Sequence, residues 1–378
     1  MFGFDFQPRT RVIFGPGAVE RAGELARELG FRRSLVVADP GIVASGHAAR
    51  LVSGLGEAGI EVHLTSDVGV NPDSDMVAHG ATFAAPLGVD SIVAIGGGST
   101  LDLAKGANFL LTNGGTIADY RGYGKASRPL LPMIGIPTTA GTGSEAQSYA
   151  VIADAATHMK MACGDPTAAF RVAILDPDLT MSAPRAVTAM AGFDAIAHAV
   201  ESSVTKRRTP LSDLFAERAV TLLDRAYERV LSAPDDREAR AAMMLGAHLA
   251  GMAIEQSMLG AAHACANPLT ARFNVTHGLA LAILLPHVVR WNASVAGERY
   301  AELLPPDRRG SKDPAVALAK RLEELTSAAG LRLTLRDAGV GADAIPELAE
   351  LAAQQWTGTF NPRPFDAAGA AEIYRAAM

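Results

Sequence analysis

Residues 91–106 read SIVAIGGGSTLDLAKG, and their pattern indicates the fold of the first half of the chain. Its first five residues are a continuous apolar run, as expected for a parallel strand covered on both faces. Three glycines and Ser99 follow at once and open a helix. A tight turn would need only one glycine, whereas three let the backbone approach an anion whose charge the first helical amides can hold. Ser99 is expected to cap this helix.

The same strand-then-helix order extends to both sides of residues 91–106. This alternation predicts an open, mainly parallel α/β sheet with helices on both faces. The predicted strands are 11–14, 34–38, 62–65, 91–95 and 133–136, and the predicted helices between them are 18–29, 47–58 and 73–87.

The pattern changes at residues 176–184, DPDLTMSAP, where Pro and Ser indicate a loop. Beyond this point the chain is rich in Ala, Leu and Met, has helical periodicity and shows almost no strand signal. Long helices are predicted at 211–230, 236–259 and 314–329. We therefore predict two domains, an α/β domain over residues 1–180 and an all-α domain over residues 181–378.

The composition of the whole chain excludes several classes of protein. Its 378 residues are 49% hydrophobic and 20% charged, with a net charge of -6, as in an ordinary globular enzyme. The longest basic run is residues 206–208, too short to bind nucleic acid or an anionic membrane. Cys163 and Cys265 do not form a disulfide framework. Without a secretory signal or a membrane-spanning run, we expect a cytoplasmic protein.

Four residues in the second half suit one divalent metal ion: Asp194, His198, His263 and His277. The first two have a DxxxH spacing, so they share one face of a helix. The other two lie fourteen residues apart across a Pro and a predicted turn. One carboxylate and three imidazoles suit Fe(II) or Zn(II). A lone DxxxH is more often a solvated ion pair, but the second histidine pair favours a metal.

Two further segments of the first half indicate a nucleotide. Asp39 ends the strand SLVVAD, where a carboxylate can bind an adenosine ribose and repel a 2′-phosphate, which favours NAD over NADP. The alternative is that Asp39 simply starts a turn before Pro40. Residues 136–147, IPTTAGTGSEAQ, follow a strand and offer hydroxyl and amide donors without bulk. The alternative there is a plain polar surface loop.

Six motifs in order resemble the iron-containing (group III) alcohol dehydrogenase family over nearly the whole chain. They are GGGSTLDLAK, PTTAGTGSE, DPDLT, GFDAIAHAVES, HGLALAILLPHV and FNPRP. The resemblance implies a dehydroquinate synthase-like architecture, with a dinucleotide-binding α/β domain followed by a helical metal-binding domain. It also implies a homo-oligomer, a dimer in this family.

The resemblance assigns roles residue by residue. It implies NAD as cofactor and Fe(II), with Zn(II) as the other option, on Asp194, His198, His263 and His277. The cofactor positions are Asp39, Asn71, Gly97, Gly98, Ser99, Asp102, Thr138, Thr139, Thr142, Ser144, Lys160 and Leu179. Substrate positions, which vary most in the family, are expected at Tyr149, Ile254, Leu259 and Phe360.

One position departs from the family pattern. Many members carry a further histidine four residues after the third metal ligand, and this chain has Asn267 there. Asn can form hydrogen bonds but cannot transfer a proton near neutral pH. Asn267 is therefore expected to act in the reaction without acid–base chemistry, and the family's proton path does not carry over.

The implied function is interconversion of an alcohol with an aldehyde or ketone by hydride transfer, with a small-molecule substrate. A maleylacetate reductase-like enzyme is one alternative, but its dicarboxylate substrate needs a cationic pocket, and only Arg272 is an obvious candidate near the metal residues. A lyase resembling dehydroquinate synthase needs several cations. The last alternative is a binding protein without catalysis, which the four intact ligand types disfavour.

Overall fold

A computed structural model describes residues 3–378. The chain divides into two compact units, and it passes from one to the other between Ala183 and Pro184. The first unit is Gln7–Ala183. The second consists of Pro184–Met378 together with the described residues before Gln7.

The first unit contains two sheets. The strands are β1 Arg11–Phe14, β2 Arg33–Ala38, β3 Glu61–Thr65, β4 Ser91–Gly96, β5 Gly122–Tyr123, β6 Met133–Pro137, β7 Tyr149–Ala153, β8 Lys160–Gly164 and β9 Val172–Leu175. The larger sheet has six parallel strands in the order β1-β9-β6-β4-β2-β3, and the smaller has three in the order β5-β8-β7.

The central strands are buried along their whole length, which explains their continuous apolar sequence. β4 and β6 have no exposed residue, and β2 is buried from Ser34 onward. In the β2–β4 ladder Ser34 lies opposite Ser91, and their hydroxyl oxygens are 2.7 Å apart. The two strands thus place a serine at the same level of the sheet, where the two buried hydroxyls form a hydrogen bond with each other.

Five α-helices accompany these strands. They are α1 Ala22–Glu28, α2 Pro40–Ala44, α3 His47–Glu57, α4 Ser74–Ala84 and α5 Gly98–Asn113. One apolar cluster joins Leu25, Leu51 and Leu55 of the first helices to one side of the sheet. Another joins Leu101 and Leu103 of α5 to the alternate strand residues Leu35, Val37 and Ile92. The sheet is therefore covered on both faces, as predicted.

The second unit is helical. Its helices are α6 Arg185–Ser202, α7 Pro210–Ser232, α8 Arg237–Ser257, α9 Ala261–Phe273, α10 His277–Trp291, α11 Ala293–Ala296, α12 Tyr300–Leu303, α13 Pro314–Ala328, α14 Ile345–Ala353 and α15 Ala367–Ala376. The long ones have defined starts, since Thr209, Asp236 and Asp313 each accept a backbone N–H as N-cap residues. No β-strand occurs between residues 184 and 378.

Helix α6 is the centre of the helical unit. It packs against α7, α8 and α10, and every residue from Gly192 to Ser202 is buried. A helix buried on all sides is normally apolar all round. α6 instead carries Asp194, His198 and Glu201 within this buried segment, so these charges must be compensated inside the protein.

The predicted fold class is confirmed, and the differences are local. The predicted helix 18–29 is a 3-10 helix, Ala18–Arg21, followed by α1. Strands β5, β7, β8 and β9 were not predicted. Within residues 3–378 no single helix is long and apolar enough to cross a membrane, and only the bent pair His277–Trp291 and Ala293–Leu303 reaches that length and composition together. Cys163 and Cys265 are buried free thiols.

Candidate metal centre and nucleotide loop

Three histidines converge on one carboxylate oxygen in the helical unit. Atom Oδ1 of Asp194 lies 3.2 Å from Nε2 of His198, 3.6 Å from Nε2 of His263 and 3.9 Å from Nε2 of His277. The rings of His198 and His263 are stacked at 4.8 Å between centroids. The structure therefore brings together all four residues that the sequence predicts as metal ligands.

Three helices position these side chains. Asp194 and His198 occupy one face of α6, His263 lies in the first turn of α9, and His277 is the first residue of α10. The start of α10 lies directly against α6, because a Cβ atom on Gly278 would come within 2.2 Å of the Met190 carbonyl oxygen. Only glycine permits this approach, which brings His277 to Asp194.

The charges in this cluster are strongly coupled. Burial by itself raises the pKa of Asp194, but the nearby imidazoles of His198, His263 and His277 outweigh it and hold that pKa well below its usual value. Burial by itself lowers the pKa of His263, yet the carboxylates of Glu201 and Asp194 raise it to about 9. A cation is therefore strongly favoured at this position.

The donor set fits a first-row divalent metal. Asp194, His263 and His277 offer ligand atoms that all lie within 4.8 Å of one another. Two of these buried atoms, Oδ1 of Asp194 and Nε2 of His263, have no hydrogen-bond partner among the described residues. Buried polar atoms are rarely left so, and a metal ion would satisfy both. A carboxylate with three imidazoles suits iron or zinc.

Glu201 contacts this cluster and was missed in the sequence. It is 3% exposed, its Oε2 accepts a hydrogen bond from Nδ1 of His263, and its Oε1 accepts one from the Ala262 amide at 2.7 Å. The signal was present in GFDAIAHAVES. Glu201 follows Asp194 by seven residues and His198 by three, so all three share one helix face in an otherwise apolar segment.

Asn267 lies on the same helix as His263. The helix α9 continues through Pro268, as the predicted common face of His263 and Asn267 requires. The side chain is half-buried, and its Nδ2 donates a hydrogen bond to Oε1 of Gln355 at 3.1 Å. This bond fixes the amide and leaves its carbonyl oxygen as an acceptor for another donor.

The predicted substrate residues lie in different parts of the chain. Ile254 is buried near the end of α8, and Leu259 is half-buried in the connection to α9. Phe360 ends the 3-10 helix Trp356–Phe360 and packs edge-on against Trp356, with ring centroids 5.7 Å apart. Tyr149 belongs to the other unit, where it begins β7 and its ring lies 5.5 Å from that of Tyr123.

In the α/β unit, the predicted nucleotide residues gather where neighbouring parallel strands end. The amide of Thr138, just after β6, donates to the carbonyl of Gly96 at the end of β4 at 2.9 Å. A Cβ atom on Gly98 would lie 2.4 Å from Cγ2 of Thr142, so only glycine lets the two segments meet. The carboxyl edge of a parallel sheet is the usual place for such a ligand.

Ser99 does not cap α5, so that expectation is wrong. Gly97 is the N-cap residue, and no side chain in the described part of the chain caps this helix. Ser99 is already the second helical residue, and its hydroxyl accepts the Asn71 amide at 3.3 Å. The sixteen-residue helix thus begins with amides that no capping side chain occupies, which suits an anionic group.

Asp39 has a structural role at the end of β2. Its Oδ1 accepts the Ile42 amide at 3.0 Å and caps α2, while its Oδ2 accepts the hydroxyl of Thr100 at 3.1 Å. The turn-starting interpretation therefore applies. The carboxylate is nevertheless half-buried at the same edge as the glycine loop, with its charge beside the start of α5.

A buried ammonium group holds the predicted loop after β6. Lys105 is fully buried on α5, and its Nζ donates to the carbonyl oxygens of Ser144, Gln147 and Tyr149 at 2.7 to 2.9 Å. The Ser144 hydroxyl donates to Oδ1 of Asp102 at 2.6 Å, and burial raises the pKa of this carboxyl. Lys105 was not predicted, although it and Asp102 are the two charged residues of α5.

Lys160 and Leu179 are two further predicted cofactor positions. Lys160 begins β8 opposite Ala153. Its positive charge lowers the pKa of Asp102, against the larger effect of burial, which raises that pKa. Leu179 is 2% exposed in the 3-10 helix Pro177–Ser182, and its side chain belongs to the apolar core beside the sheet. Thr139 faces the glycine loop, 3.5 Å from where a Cβ on Gly97 would be.

We expect Lys105→Met to destabilise the α/β unit by about 3 kcal/mol, because three buried carbonyl oxygens lose their charged donor. Urea unfolding gives the stability, and hydrogen exchange of residues 144–149 should accelerate in the folded protein. Lys320→Met, at an exposed position on α13, is the matched control and should change neither quantity. Equal stability of Lys105→Met and wild type would contradict this role.

Comparison with known proteins places this architecture in one family. The model of the family described as iron-containing alcohol dehydrogenase matches residues 8–177, and that of its C-terminal part matches residues 188–378. The NAD-dependent methanol dehydrogenase of Bacillus methanolicus is 32% identical over 99% of both chains. Alcohol dehydrogenase 4 of Schizosaccharomyces pombe is 35% identical over 93% of this chain and 83% of its own.

A solved structure gives the same result for the fold. A crystal structure of 1,3-propanediol oxidoreductase superposes with a TM-score of 0.95 at 32% identity and covers 100% of both chains. The two family matches together account for nearly all of the chain, in the order that its motifs predict. This chain belongs to the iron-containing alcohol dehydrogenase family.

Proposed function

We propose that this protein is a metal-dependent, NAD(H)-linked oxidoreductase that interconverts an alcohol with an aldehyde or ketone by hydride transfer. The observation that carries the proposal is the convergence of three imidazole nitrogens on Oδ1 of Asp194, within 3.9 Å. Such a buried cluster of polar groups from three helices is costly unless a cation binds there. The relative from Bacillus methanolicus, named as NAD-dependent, supports the choice of cofactor.

Asp194, His198, His263 and His277 would hold the metal, with iron as the family's ion and zinc as the other option. When bound, the metal supplies a Lewis acid for the substrate oxygen, and the nicotinamide cofactor accepts or donates the hydride. The protein supplies orientation. The capless start of α5 would hold the pyrophosphate with its amides, and Lys105 fixes the loop that carries Ser144.

The maleylacetate reductase-like alternative loses its main support. Arg272, the one cation expected to bind a dicarboxylate, lies in the last turn of α9 and pairs with Glu347, with Nε and Oε1 3.2 Å apart. Both side chains are at least half exposed. A pairing with a carboxylate at the surface leaves Arg272 poorly suited to a substrate dianion, so we favour a neutral alcohol or aldehyde.

We expect His277→Ala and His263→Ala to lose bound metal while keeping their helical content. Each substitution removes one of four ligands, which sharply weakens metal binding. The helical fold should persist, because it does not depend on the metal alone. Elemental analysis of the purified protein should find about one iron or zinc per wild-type chain. His287→Ala, on the same helix α10 and ten residues beyond His277, is the control and should keep its metal. Wild-type metal content in both ligand variants would refute the assignment.

We expect NADH to be preferred over NADPH, because the carboxylate of Asp39 repels a 2′-phosphate. Asp39→Asn keeps an oxygen for the Ile42 amide and removes the charge. The ratio of kcat/KM with NADH to kcat/KM with NADPH should therefore fall by roughly five- to tenfold. Asp39→Gly removes the cap as well and should also lower stability. Steady-state kinetics with NADH and with NADPH measure this preference in wild type and in both variants. A wild type that prefers NADPH would show that the role given to Asp39 is wrong.

Asn267 is proposed to orient the substrate or nicotinamide by hydrogen bonding and to transfer no proton. Asn267→Ala should lower kcat by roughly three- to tenfold, the loss of one hydrogen bond, and leave the ionisations in the pH–rate profile unchanged. Asn267→His should add an ionisation between about pH 6 and 8. Loss of a limb of the profile in Asn267→Ala, with the same rate-limiting step, would contradict the role.

A further inference from the structure

Glu201 is a buried carboxylate with an unusual set of partners. It is 3% exposed in the central helix α6, and its one ion-pair partner among the described residues is His263. Its two oxygens face two different donors, the Ala262 amide and Nδ1 of His263, and the His263 amide lies 3.4 Å from Oε2. The carboxylate thus contacts both the backbone and the side chain of one residue of the metal cluster.

The start of α9 depends on side chains from other parts of the chain. Gly260 is its N-cap residue and has no side chain to accept the first amides. The Ala261 amide donates instead to Oδ1 of Asn361 at 3.2 Å, and the Ala262 amide to Glu201. A carboxylate is well placed at a helix N-terminus, where the helix dipole favours an acceptor for the first amides.

Asn361 belongs to the FNPRP motif, in which only Phe360 has a predicted role. It is 1% exposed, its Nδ2 donates to Oδ1 of Asn292 at 2.9 Å and to the Arg363 carbonyl at 2.8 Å, and its Oδ1 also accepts from Nδ2 of Asn292. The amide is therefore locked in one orientation, with its oxygen toward α9. This second cap keeps the Ala262 amide and His263 in place above Glu201.

The contacts of Glu201 decide which nitrogen of His263 carries hydrogen. An ionised carboxylate only accepts hydrogen bonds, so Nδ1 of His263 must be the donor. In the neutral ring the lone pair is then on Nε2, which is the atom that lies 3.6 Å from Oδ1 of Asp194. Carboxylates that hold metal-binding histidines in this way set both the tautomer and the ring direction.

We propose that Glu201 is the positioning residue of the metal centre, which presents Nε2 of His263 to the ion and joins α9 to α6. This inference rests on the proposed function, since it requires a metal on Asp194 and the three histidines. Glutamine cannot replace the carboxylate, because two donors face its side chain and an amide has only one acceptor atom. With its oxygen toward the Ala262 amide, its NH₂ group would face Nδ1 and favour hydrogen on Nε2, which blocks the metal-binding atom.

The test is Co(II) binding to the metal-depleted full-length protein, followed by the visible absorption of the bound ion. Glu201→Gln should bind Co(II) about 10- to 100-fold more weakly than wild type, as for other partners of metal-binding histidines. Tyr374→Phe is the matched control, because it also removes a buried hydrogen bond to α9, in which its hydroxyl donates to the Cys265 carbonyl at 2.7 Å. It should bind Co(II) as wild type does, even if its unfolding midpoint falls.

A second measurement needs no substitution and stays valid if Glu201→Gln fails to fold. In the Zn(II)-loaded wild type with ¹⁵N-labelled histidine, the NMR signals of His263 should show hydrogen on Nδ1 and zinc on Nε2. Zinc on Nδ1 would overturn the inference, as would equal Co(II) affinity of wild type and Glu201→Gln. By contrast, a wild type that binds no Co(II), or a His277→Ala variant that binds it equally well, would overturn the proposed function itself.

Discussion

The helical unit is organised by the need to compensate two carboxylates inside the segment of α6 from Gly192 to Ser202, which is buried on every side. Asp194 and Glu201 lie one above the other on α6, where water cannot solvate them. Three imidazoles surround one oxygen of Asp194, and Glu201 accepts a hydrogen bond from an amide in the first turn of α9. Two helices therefore begin beside α6, and their starts bring His263 and His277 to the cluster.

The α/β unit uses the opposite charge for a similar purpose. Lys105 is a single cation in the apolar face of α5, and the carbonyl oxygens of Ser144, Gln147 and Tyr149 surround it. A buried charge that is satisfied by backbone groups fixes the path of the chain more firmly than apolar packing, because each unpaired group is costly. In both units a charged residue on a helix holds a segment that carries predicted site residues.

The sequence predicted the repetitive parts of this fold and the parts of the site that depend on spacing along one helix. Apolar runs identified β2 and β4, and the DxxxH spacing identified Asp194 and His198. Strand β5 was missed because two residues are too few to show a period. Glu201 and Lys105 were missed since their partners come from distant segments. Ser99 was misassigned as a cap because the helix begins two residues earlier than the hydroxyl suggested.

The double cap of α9 has a consequence for the order in which the protein folds. Its two side chains come from 61 and 100 residues away along the chain, so neither contact can form from local structure. Closing such long loops costs entropy before any contact repays it, which delays native pairing. The first turn of α9, and with it the geometry around His263, should thus mature late on the folding pathway, after α6 and the segment around Asn361 have come together.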